Sequence, residues 1–177
     1  FEKGGPSRQP GAYHESPDYH FTAPSSHIPA ALAPQLRNGN WTLTADIEVS
    51  GSETEGVIYS HGSFIDGFSL FVQDNRLSLV HKASGNATVG QSSKTLPPGR
   101  ITVGLEFEHA DDARGTFTFT LNGEEFGATR VPKSMGASRI GGVDIGRDVL
   151  APVTDLYDAP FEFTGVIYSV DIKVKPR

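Results

Sequence analysis

From Asn40 onward, apolar and polar positions alternate with a period of two. Trp41, Leu43, Ala45, Ile47 and Val49 fall on one face, and Thr42, Thr44, Asp46 and Glu48 on the other, the signature of a half-buried strand. Val57–Ser60 and Gly67–Gln73 read as further strands. Asp74-Asn75 predicts a tight turn into Arg76–His81. Val103, Leu105 and Phe107 oppose Glu106 and Glu108. Phe117, Phe119 and Leu121 oppose Thr116, Thr118 and Thr120. Asn122-Gly123 then predicts a two-residue hairpin into Glu124–Val131. The last alternating run is Gly165–Val174. About ten strands at short spacing, with no helical period, predict an all-β fold: an antiparallel two-sheet β-sandwich of the jelly-roll kind. Pairing of first and last strands is common in jelly rolls, so Trp41–Val49 is expected beside Gly165–Val174.

Residues 1–39 break this pattern. Six of the twelve prolines fall there, with His14, His20 and His27. The stretch reads as an extended lead-in or linker to a sandwich spanning 40–177. Its aromatic residues Tyr13, Tyr19 and Phe21 predict that part of it is docked.

Composition narrows the chemistry. The 177 residues carry twenty glycines, twelve prolines and no cysteine, which excludes disulfides, zinc ribbons and a thiol nucleophile. Net charge is −6 without a basic stripe, so no nucleic-acid partner is expected. No apolar run approaches the ~20 residues of a membrane-spanning helix, and no membrane partner is expected. The chain begins at Phe1 rather than methionine, so it is expected to be a piece or a processed product.

Several residues are candidates for ligand chemistry. Ser60-His61-Gly62-Ser63 is expected in a loop, where His61 would either bond to backbone or face a groove and meet a polar ligand; no Gly-x-Ser-x-Gly elbow accompanies it. Phe64 lies in a glycine-bounded loop, and Tyr157 in an irregular stretch; both are candidate sugar-stacking aromatics. Trp41, Phe161 and Phe163 fit core positions. Asp144-Ile145-Gly146-Arg147-Asp148 is the best cation candidate, with Asp144 and Asp148 as possible calcium ligands. It lacks a full ligand ladder, and Arg147 would partly neutralise it; the alternative is an acidic turn before the last strands whose Asp side chains cap backbone amides. Glu106 and Glu108 read as a solvated strand face rather than a glycosidase pair.

Some of these stretches also resemble a known family. Asn40–Val49 (NWTLTADIEV), Glu55–Ile58 (EGVI), Gly67–Val72 (GFSLFV) and Leu96–Gly99 (LPPG) run in the same order as in the C-terminal sandwich domain of large bacterial arylsulfatases. So do Leu121–Gly123 (LNG), Asp144–Val153 (DIGRDVLAPV), Tyr157 and Pro160–Val170 (PFEFTGVIYSV). The resemblance implies a concanavalin A-like or laminin-G-like fold and an accessory role, with sulfate-ester chemistry in a separate upstream domain of the same polypeptide. Gly4-Gly5-Pro6-Ser7-Arg8 mimics the end of the formylglycine motif, but glycine occupies the nucleophile position. The first expectation is therefore a non-catalytic accessory domain packed on an upstream catalytic domain, in the bacterial cytoplasm, periplasm or outside the cell. The alternative is a carbohydrate-binding module with a glycan partner. A sandwich glycosidase or lyase comes third.

Overall fold

The computed structural model describes residues 18–23, 25–37, 39–110, 114–136 and 141–176. Among them all regular structure is strand, arranged in two antiparallel six-stranded sheets. The first sheet runs in the order β1 (Asp18–Phe21), β12 (Val166–Pro176), β3 (Gly39–Val49), β8 (Gly99–His109), β9 (Gly115–Leu121) and β10 (Glu124–Val131). The second runs β2 (Ile28–Pro29), β11 (Gly142–Ile145), β4 (Gly56–Gly62), β5 (Gly67–Gln73), β6 (Arg76–Ala83) and β7 (Asn86–Gln91). The fold is an all-β sandwich, as the alternation predicts.

The predicted pairing of first and last long strands is present: Leu43 opposes Ile172 and Ala45 opposes Val170 in the β3–β12 ladder. Asp74 and Asn75 both have positive φ (52° and 55°), and so do Asn122 and Gly123 (51° and 84°). Left-handed backbone at both central residues is what a two-residue turn needs to follow the strand twist.

Between the sheets lies the main core. Trp41 stacks on Phe68 at 5.1 Å between ring centroids and meets Phe107 and Phe117 at 5.7 and 5.8 Å. Leu43, Ile47, Leu70, Leu79 and Leu105 pack around them, fully buried. Each such aliphatic side chain contributes about 1.5–3 kcal/mol by leaving water. Two histidines share this interior. His81 packs on Phe117 at 5.2 Å, and its Nε2 has no hydrogen-bond partner among the described residues. Burial lowers its pKa to about 4, against a smaller upward pull from Asp66.

The described part of the lead-in is built into the sandwich. β1 pairs with β12 on one sheet, and β2 pairs with β11 on the other. The segment between them crosses from sheet to sheet as a strap, and Ala33 and Leu36 beyond it are buried in the core. Two histidine–aspartate contacts fasten it: His20 Nδ1 lies 2.7 Å from Asp171 Oδ1, and His27 Nδ1 lies 3.0 Å from Asp144 Oδ1. Tyr13, His14 and the Gly4–Arg8 stretch lie outside the described residues.

A long connection, residues 146–165, folds over the outer face of the second sheet. Its Tyr157 and Phe161 pack on Val57, Phe71 and Val80 to form a second, smaller apolar cluster. The Tyr157 ring meets Phe71 edge-on at 5.1 Å and stacks on Phe161 at 4.9 Å.

Candidate functional site

The sequence candidates take different places. His61 is not in a loop but on β4, facing inward. Its Nδ1 is 3.2 Å from Tyr59 Oη, its ring stacks on Phe68 at 5.9 Å, and burial lowers its pKa to about 4. A histidine enclosed in this way is a core group, out of reach of a ligand. Phe64 is exposed (55%), as a glycine-bounded loop predicts. Ser63 N–H donates to the carbonyl of Asp66, closing the loop beneath it. Tyr157 is buried rather than solvent-facing, so its ring offers no sugar platform.

Asp144 and Asp148 cap backbone amides, the alternative to a calcium site, but not from the expected turn. Asp144 is on the buried strand β11, not in an exposed acidic turn; it is 4% exposed and Asp148 only 2%. The oxygens of Asp144 are taken up by His27 and by the Val149 N–H at 3.2 Å. Asp148 Oδ2 accepts from Val153 N–H at 2.9 Å and from the Tyr157 hydroxyl at 2.6 Å. Burial raises the Asp148 pKa, and these hydrogen bonds pull it back down. The two carboxylates brace the backbone. Among the described residues no group of three or more His, Cys, Asp or Glu side chains converges as a cation cage would. Asp155 and Asp158 are exposed.

What the brace holds is the stretch between the aspartates, Ile145-Gly146-Arg147. Gly146 N–H donates to the Ile58 carbonyl at 3.0 Å, and Asp148 N–H donates to the Pro160 carbonyl at 2.8 Å. Arg147 is pinned on both sides and lines a pocket of about 350 Å³ at the end of the sandwich. Three chain segments form it: the strap (Ala23, Ser25), the end of β11 and its exit (Ile145, Arg147), and the entry to β12 (Glu162, Phe163). The Arg147 side chain has no hydrogen bond or ion pair among the described residues. Ser25 also lines the pocket, and its Oγ is buried and likewise without a partner among the described residues. A guanidinium with free donors, a free hydroxyl, an exposed carboxylate and a partly buried aromatic ring thus surround one monosaccharide-sized space. In the sequence this loop reads as a calcium candidate or a capping turn, with Arg147 only as a charge that would weaken a cation site. The usable signal was that arginine itself, in a segment whose acids are occupied elsewhere.

No known family profile matches the chain, and no curated protein matches it. Solved structures do share its fold. A CBM40 of the Ruminococcus gnavus IT-sialidase, bound to α2,3-sialyllactose, superposes with a TM-score of 0.57 at 14% identity, covering 77% of this chain and 76% of that one. The NanB sialidase of Streptococcus pneumoniae gives 0.59 at 15% identity, covering 89% of this chain but 26% of that one. Domains LG4-5 of the mouse laminin α1 chain give 0.51 at 16% identity, covering 92% and 40%. The chain is thus a laminin-G/CBM40-like β-sandwich. These identities speak for the fold alone, and nothing in them ties the sandwich to arylsulfatases.

Proposed function

We propose that this chain is a non-catalytic glycan-binding module whose end pocket takes an acidic sugar. One observation carries the reading: Arg147 lines a pocket of sugar size, its backbone flanked by hydrogen-bonded neighbours and its donors unspent. A guanidinium matches a carboxylate through two parallel hydrogen bonds, so an acidic sugar is the ligand such a group selects. Glu162 would accept from sugar hydroxyls, and Ser25 would gain the partner it lacks. Phe163 offers an apolar ring to the C–H face of the sugar. The fold likeness to a CBM40 bound to sialyllactose supports the same reading. The sulfatase accessory role has only the sequence resemblance behind it, so glycan binding is preferred to it. A linked catalytic domain remains compatible with either.

An array of sialylated, uronate-containing and neutral glycans tests this. Retention on acidic glycans is expected, and retention on neutral glycans alone would overturn the acidic-sugar assignment. The chain should not turn over a nitrophenyl sulfate or a nitrophenyl glycoside, and turnover of either would make it an enzyme.

A further inference from the structure

Beside the pocket, the outer face of the first sheet carries an aromatic residue held in place. Val166 lines the pocket and opposes Glu48, placing it on the outer face of the sheet, 47% exposed. Two residues on, Tyr168 falls on the same outer face by alternation, as the extra residue where the β12 ladder shifts register between Ile167 and Ser169. Its hydroxyl donates to Glu48 Oε2 at 2.6 Å. The Arg100 guanidinium lies 4.0 Å from its ring centroid, itself bound to Asp46 through two nitrogens at 3.0 and 2.6 Å. Tyr168 is nevertheless 38% exposed. An exposed ring on a polar sheet face is usually mobile; this one is fixed from two sides.

We propose that Val166 and Tyr168 form a second subsite, which holds the neutral sugar next to the acidic sugar bound at Arg147. The inference rests on the glycan-binding reading. Along a strand, two residues span about 6.6 Å, so the ring lies roughly one sugar beyond the pocket wall. A ring whose rotamer is already set loses little entropy when a sugar packs on it. The charge of the patch decides the class of sugar. Asp46 and Glu48 outnumber Arg100 there, so a second carboxylate is repelled, while hydroxyls find a guanidinium to donate to them and a carboxylate to accept from them. The subsite therefore reads an acidic-then-neutral order.

The test compares short and long probes by calorimetry: N-acetylneuraminic acid against 3′-sialyllactose, and galacturonic acid against its trimer. The intact chain should bind 3′-sialyllactose more tightly than the monosaccharide, by roughly five- to tenfold. The galacturonate trimer, acidic throughout, should gain little over its monomer. Tyr168→Ala should remove the sialyllactose advantage while leaving monosaccharide affinity unchanged, which also shows that the variant is folded. Tyr168→Phe, which keeps the ring, should retain the advantage. If Tyr168→Ala binds both sialic acid probes as the intact chain does, the subsite is wrong and the pocket stands. If the intact chain binds none of the four probes, the glycan-binding reading and the subsite fall together.

Discussion

The Tyr157 hydroxyl donates to Asp148 Oδ2 at 2.6 Å, in a spot closed to water on the outside of the second sheet. Ser69 Oγ lies 2.7 Å from the same phenol oxygen and completes its shell. This pair ties the long 146–165 connection to β5 and, through the backbone of Asp148, fixes Arg147 at the pocket. Tyr157→Phe keeps the ring packing but strips a buried carboxylate of a donor. A loss of about 1.5–3 kcal/mol is expected, read as a lower urea midpoint with an unchanged slope. An unchanged midpoint would show that the bond carries no net stability.

Arg147 separates binding from folding. Its guanidinium has no partner to lose among the described residues, so Arg147→Ala should leave stability within about 0.5 kcal/mol. Affinity for an acidic glycan should fall roughly 30-fold or more, since a charged hydrogen-bonded pair contributes about 2–3 kcal/mol. Titration of the variant and a thermal melt check both halves.

Stability should fall in acid for a reason seated in the core. His61 and His81 are held neutral, with pKa values lowered by burial to about 4. Above about pH 6.5 both are neutral whether folded or unfolded, and nothing is lost. As pH falls from 6.5 towards 4, the unfolded chain takes up protons that the folded chain refuses. Each histidine then withdraws up to roughly 3 kcal/mol, with no further loss below that window. Asp148 acts with the opposite sign: its raised pKa means the folded chain gains its proton first on acidification, which offsets part of the loss. Urea midpoints at pH 7, 5.5 and 4.5 should therefore decline in steps, and a flat series would mean that water reaches the two imidazoles.

The strap is part of the pocket, so loosening it should weaken binding from a distance. A side chain at Gly142 would collide with the Ile28 carbonyl on β2 and with the His27 ring at the end of the strap. Gly142→Ala should raise proteolytic cutting within residues 22–30 and lower glycan affinity, because Ala23 and Ser25 form one pocket wall. Faster cutting with unchanged affinity would show that the strap is no part of the site.

The sandwich was legible because its long strands alternate: β3, β8 and β9 bury every second residue against the other sheet, and β12 does so from Val170 on, past the bulge that leaves Val166 and Tyr168 outside. β11 escaped notice because both its faces are covered, one by the core and one by the 146–165 connection. Asp144 on it therefore looks like a turn acid when it is a buried brace. β1 and β2 are short and sit among prolines, where no period can show. Tyr157 is misplaced for a related reason, whereas His61 reads as a loop residue because no alternation marks the end of β4 beyond Ser60. Alternation reports which face of a strand is apolar but not whether a loop later covers the other. The Arg147 pocket joins residues more than a hundred positions apart, and no local spacing encodes that meeting.

The central claim is that an acidic sugar sits against Arg147 at the end of the sandwich. Backbone amide NMR shifts during titration with 3′-sialyllactose test it most directly. The account predicts saturable changes concentrated at Gly146, Arg147, Phe163 and Gly165, absent with lactose and abolished by Arg147→Ala. Changes centred on Phe64 and the Gly62–Gly67 loop, or equal responses to lactose, would contradict it.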